Sequence, residues 1–156
     1  MPDTKTTRKP AAGRDTPAKG WTAEEKAAMK EHAKELKAAA KRGADEAAGE
    51  ADVMAKIAGM PKADRDMAQR IHDVVRKVAP DLIPRTWYGM PAYAKDDRIV
   101  CFFQPADKFK ARYATLGFND AAKLDDGAMW PTSWALTGVS DADEKKIAEL
   151  VQRAVR

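Results

Sequence analysis

The groups in this chain that could attack, shuttle protons or hold a metal are two histidines, one cysteine and a scatter of hydroxyls and carboxylates. His32 and His72 fall on the polar sides of two different helical stretches, and neither has a second histidine three or four residues away with which to share a metal. Both are expected to be solvated imidazoles. Cys101 lies among Ile99, Val100, Phe102 and Phe103, surroundings that raise a thiol's pKa and suppress the thiolate needed for attack or ligation. A core thiol is the expectation, and a single cysteine forms no internal disulfide. Ser133 and Ser140 lack the strand-turn-helix elbow of a serine nucleophile, and no glycine-rich phosphate loop occurs. Serine hydrolase and nucleotide hydrolysis chemistry are disfavoured.

Carboxylates gather at Asp96-Asp97, at Asp120 with Asp125-Asp126, and at Asp141, Asp143 and Glu144. Hard cations prefer such oxygens, but the alternating acidic ligands and distal glutamate of a calcium loop are missing. Turn formation and helix capping account for each group. Asp125 and Asp126 are the candidates for surface binding of iron or another cation.

The segment Trp87-Tyr88-Gly89-Met90-Pro91-Ala92-Tyr93 packs aromatics around a Gly/Pro bend, and Met129-Trp130-Pro131 adds another such surface. Beside them Ile99-Val100-Cys101-Phe102-Phe103 is apolar at successive positions, so both faces of that strand carry large side chains. Helices cover one face. The other needs a loop, a second copy related by a two-fold axis, or a small molecule, because a bare apolar patch is unfavourable in water. The candidate ligand-binding set is Trp87, Tyr88, Met90, Pro91, Tyr93, Cys101, Phe103 and Trp130, with Arg112 placed to meet an anionic group. The alternative is that the same aromatics fill a small core beneath the bend.

The elements that must position these residues follow from pattern. Thr22 and Glu25 form a capping box, and Ala, Lys and Glu continue the helix from residue 23 to about 41, with Gly43 a C-terminal stop. Trp21, Met29 and Leu36 are its only large anchors, so it docks weakly or stands partly free. Val53, Met54 and Ile57 mark a short amphipathic stretch over 50–58. After Met60-Pro61, Met67, Ile71, Val74, Val75 and Val78 define the buried face of a helix that Pro80 ends, with Asp64 and Arg70 among the residues placed away from it. Strands are predicted over 85–88, 92–95, 98–104, 110–118 and 132–137, with a turn at Asp96-Asp97 and one helical turn over 119–124. A last helix begins at Ser140 and carries Ile147, Leu150, Val151 and Ala154 on one face. The expected fold is therefore α+β: a small, mainly antiparallel sheet with helices on one face, preceded by an extra N-terminal helix.

Charge is distributed unevenly. Residues 1–43 hold 11 Lys/Arg against 6 Asp/Glu, and residues 44–156 hold 17 against 18. Residues 1–20 lack large apolar side chains after Met1 and read as a disordered basic tail, followed by the helix at 21–43 and a domain at 44–156. Such a tail attracts nucleic acid only through weak, salt-sensitive contacts. No run of about 18 apolar residues occurs, the N-terminus lacks a secretory pattern, and a cytoplasmic protein without membrane contact is expected.

Residues 52–155 resemble the YdhG-like family of small bacterial proteins. The resemblance rests on Met60-Pro61, Ala79-Pro80, the Trp87 to Tyr93 signature, Cys101-Phe102-Phe103, Leu116-Gly117-Phe118 and Leu124-Asp125-Asp126-Gly127. Residues 22–43 are similar to an extra helix of some members from high-GC bacteria. The resemblance implies a cytoplasmic α+β domain not known as an enzyme, with one branch described as a frataxin-like intracellular iron chaperone. Iron on acidic surface residues is what that branch implies. The leading expectation is a non-enzymatic binding or carrier domain for a small molecule or a second copy, with iron handover and nucleic-acid association as alternatives.

Overall fold

A computed structural model describes residues 21–42 and 46–156. The predicted basic tail and the Gly43 stop lie outside the described residues. Among the described residues there are four helices: α1 (Ala23–Arg42), α2 (Glu46–Ala58), α3 (Lys62–Val78) and α4 (Asp141–Ala154). None is long and apolar enough to cross a membrane.

The hydrophobic repeat of α3 positions the core, though one step round from the predicted stripe. Its buried residues are Asp64, Met67, Ala68, Ile71, His72 and Val75, a complete i, i+3, i+4, i+7, i+8, i+11 set. Val74 and Val78 pack at the margin. The expectations that Asp64 faces away and that His72 is solvated are thus corrected: both are buried, and both find polar partners there. Helix α2 starts earlier than the short 50–58 stretch and buries Val53 and Ile57. Helix α4 starts as predicted, with the Ser140 hydroxyl accepting from the Asp143 N–H at 3.2 Å and the Asp143 carboxylate accepting from the Ser140 N–H at 2.9 Å.

Five strands, β1 (Ile83–Trp87), β2 (Met90–Lys95), β3 (Arg98–Gln104), β4 (Ala114–Phe118) and β5 (Ser133–Leu136), form an antiparallel meander in that order. The first two connections are two-residue turns. Tyr88 and Gly89 have φ of 52° and 74°, and Asp96 and Asp97 have φ of 51° and 60°, the left-handed pairs that match strand twist. Tyr88 is therefore a turn residue, and β2 begins at Met90 rather than at 92. Residues 110–113 are not strand, because Lys110 itself turns at φ 54°. The stretch 119–124 is a hydrogen-bonded turn, Ala122 N–H to Asn119 O at 2.9 Å, and not a helix.

Pairing assigns each side chain to a face. Tyr93 opposes Cys101, which opposes Phe118; Phe103 opposes Leu116. These residues join Val53 and Ile57 of α2, Met67, Ile71 and Val75 of α3, and Ile147 and Val151 of α4 in one core. Val100 is skipped where the β2–β3 register shifts, a bulge that turns it into the same core. Ile83, Trp87, Ile99 and Phe102, on the reverse side, do not join that core and remain half-buried. The α+β fold with helices on one face is as expected.

Helix α1 packs differently from the rest. Its Thr22–Glu25 capping box forms, with the Glu25 N–H donating to Thr22 Oγ1 at 3.1 Å and the Thr22 N–H to Glu25 Oε2 at 3.3 Å. The predicted anchors Trp21, Met29 and Leu36 are instead 59, 43 and 52% exposed. The helix docks by Ala28, Glu31, His32 and Glu35, an i, i+3, i+4, i+7 stripe, because the ground beneath it offers the Lys56 and Lys108 ammonium groups, the Gly89 N–H and the Tyr88 ring.

Candidate functional site

The two-residue turn after β1 aims Trp87 across the helix-free face and Tyr88 along its end. From there four rings form a ribbon. Phe102 lies 5.3 Å from Trp87 at 59°, Trp87 meets Tyr88 edge-on at 5.0 Å and 75°, and His32 of α1 stacks on Tyr88 at 4.0 Å and 14°. Beneath the ribbon Met90, Ala92 and Ala94 are buried. Gly117 opposes Phe102 across the β3–β4 pair, and a Cβ there would run into the Phe102 ring. The glycine leaves room for that ring over β4. Half-buried rings offer contact to a planar apolar body.

The structure divides the predicted ligand set between the two faces. Trp87 and Tyr88 are in the ribbon, with Met90 under it. Tyr93, Cys101 and Phe103 are buried in the helix-side core, as is Pro91 on the same side of its strand as Tyr93. Burial pushes the Cys101 thiol up to about 12, which makes it a packing group. Arg112 is exposed, its guanidinium 5.2 Å from the Tyr113 ring. Trp130 packs at the core's margin. Asp125 and Asp126 are exposed, and no group of three or more His, Cys, Asp or Glu side chains capable of holding a metal occurs among the described residues. The aromatic segment thus fills a core with Tyr93 and builds a surface with Trp87. Phe102, His32, Lys56 and Lys108 join that surface outside the set expected from the sequence. The period-two alternation of β3 places Phe102 there; the other three are brought in by tertiary packing.

On the core side His72 links two elements. Its Nδ1 is 2.9 Å from the Tyr93 hydroxyl and its Nε2 is 3.2 Å from Glu50 Oε1. Burial first, then the nearby Cys101 and Asp73, push the Tyr93 phenol well above its ordinary range, so the phenol stays protonated.

At the far end of the ribbon, α1 spans a cleft. Glu31 accepts from Lys108 Nζ at 2.9 and 3.0 Å and from Lys56 Nζ at 3.2 Å, and Glu35 accepts from the Gly89 N–H at 2.9 Å. Partial burial raises the Glu31 pKa, but the two ammonium groups overcome this and hold it below the ordinary carboxylate value. Gly89 has φ 74°, and a Cβ there would collide with Lys108 Nζ and Glu31 Oε2. Asp64, at the start of α3, accepts from the Ala106 and Asp107 N–H groups at 3.2 and 3.0 Å and fixes the loop that carries Lys108. A cavity of about 620 Å³ opens between α1, the α2–α3 corner and this loop, lined in part by Ala27, Glu31, Lys56, Met60, Pro105 and Lys108.

No family model, curated protein or solved structure matches this chain.

Proposed function

We propose that this chain is a cytoplasmic binding or carrier domain of the YdhG-like kind, taking a small molecule with a planar ring onto the Phe102–Trp87–Tyr88 ribbon. One observation carries the reading: the Trp87 and Phe102 rings lie half-buried on the sheet face that the core helices leave bare, with Tyr88 at its end. A flat apolar ligand removes that surface from water at roughly 25 cal/mol per Å² and adds ring contact. The thiol of Cys101 and the imidazole of His72 sit inside the core on the opposite side of the sheet, away from a molecule held on the ribbon.

The test is a ¹H–¹⁵N NMR titration with 2-naphthol. The expected result is saturable displacement of the Trp87 indole and Gly117 amide signals, abolished by Phe102→Leu. Signals that stay still at this face, or move only elsewhere, overturn the reading. A molecular mass that doubles with concentration in sedimentation, with Trp87→Lys restoring the monomer, would give the face to a second copy instead.

A further inference from the structure

Helix α1 is attached to the domain in an unusual way for a packed helix. Among the described residues its inner stripe has only Ala28 as a buried apolar residue, while Trp21, Met29 and Leu36 face solvent. Among the described residues its contacts include an imidazole flat on Tyr88, one carboxylate between two lysines, and a second carboxylate on a backbone N–H. The fit is incomplete: His32 Nδ1 and Glu35 Oε2 are buried 3.6 Å apart, and neither atom has a hydrogen-bond partner among the described residues. Over residues 21–37 little hydrophobic burial holds the helix down, and partly exposed ion pairs are individually weak. Beneath and beside it lies the 620 Å³ cavity, within the size range of small-molecule sites.

A planar ring stacked on a tyrosine, with acidic groups on Lys56, Lys108 and the Gly89 N–H, is the outline of a planar aromatic acid. We infer that α1 is an intramolecular stand-in for the ligand, and that the domain's ligand is a planar aromatic or heteroaromatic carboxylic acid that displaces α1, stacks on Tyr88 and sets its carboxylate on Lys108 and Lys56. This rests on the ribbon reading and deepens it, since Tyr88 is the ribbon's end. Gly89 fits the same role, because any side chain there would push the cationic group away from the site. Ligand and strap compete, so the observed affinity is the intrinsic one reduced by the fraction of molecules with α1 released.

The full chain is titrated calorimetrically with 2-naphthoate and with its neutral analogue 2-naphthamide. Wild type is expected to prefer the acid. The double variant Glu31→Gln, Glu35→Gln is expected to bind 2-naphthoate about tenfold more tightly, because the strap is loosened. Lys108→Met, and independently Lys56→Met, are expected to reduce 2-naphthoate binding to the level of 2-naphthamide. Saturation with 2-naphthoate is expected to raise amide exchange over residues 28–35. Unchanged or weaker binding in the double variant, or equal affinity for acid and amide in wild type, overturns the strap. If binding then still disappears in Phe102→Leu, the ribbon reading survives alone; if neither probe binds any variant, both fail.

Discussion

His72 Nδ1 and the Tyr93 hydroxyl lie 2.9 Å apart inside the core, the buried polar bond that joins α3 to the central part of the sheet. Tyr93→Phe removes one partner and leaves the imidazole nitrogen buried without the other. The expected loss of stability in urea unfolding is about 1–3 kcal/mol. Glu50 is better exposed to water, so Glu50→Gln is expected to cost less. Equal effects of the two substitutions would show that the bond is not the asset the geometry indicates.

Three glycines make a graded test of close approach. A Cβ at Gly49 would meet the Pro84 carbonyl, which is fixed backbone, whereas one at Gly117 would meet the Phe102 ring, which can tilt. Gly138 faces open space. Gly49→Ala is expected to destabilise by about 1–3 kcal/mol, Gly117→Ala by less with a change in tryptophan emission, and Gly138→Ala by almost nothing. Thermal unfolding of the three variants orders them.

The strap has a pH dependence of definite sign. The Glu31 carboxyl is held below its ordinary value, partial burial opposing and Lys108 and Lys56 prevailing; Glu24 and Asp107 line the same cavity. A depressed folded-state pKa means that the docking contribution is full above the ordinary carboxylate value, about 4.5, and is lost as pH falls through the lower folded value. Amide protection factors over residues 24–37, taken against the intrinsic exchange rate at each pH, are expected to fall on acidification below that point. Glu31→Gln should flatten the dependence.

Cys101, with its pKa near 12 and no exposed surface, is expected to resist iodoacetamide at pH 8 in the native protein. Modification should proceed only at the rate of unfolding. Rapid native labelling would show that β3 opens locally.

The parts legible in the sequence were those where local pattern and burial agree. The Ser140 box, the α4 stripe, the Asp96-Asp97 hairpin and the doubly apolar β3 all carry their signals within a few residues. The helix-side role of Tyr93 against the ribbon role of Trp87 was not separable, because the faces are set by the register across Tyr88-Gly89, and β2 begins two residues earlier than its pattern suggested. His72 was misplaced although its spacing from Ala68 and Val75 was available; a polar residue on an apolar stripe is outweighed by valines nearby until a partner such as Tyr93 is seen. Helix α1 was least legible. Its large apolar residues point outward, since the surface it meets is built by Lys56, Lys108 and Gly89 from three distant parts of the chain.

The bare-face ribbon is tested most directly by following the Trp87 indole signal during titration with 2-naphthol in wild type and in Phe102→Leu. The expected result is a saturable shift at Trp87 together with Gly117, absent from the variant. A Trp87 signal that does not move in wild type, or moves identically in Phe102→Leu, contradicts binding at this face.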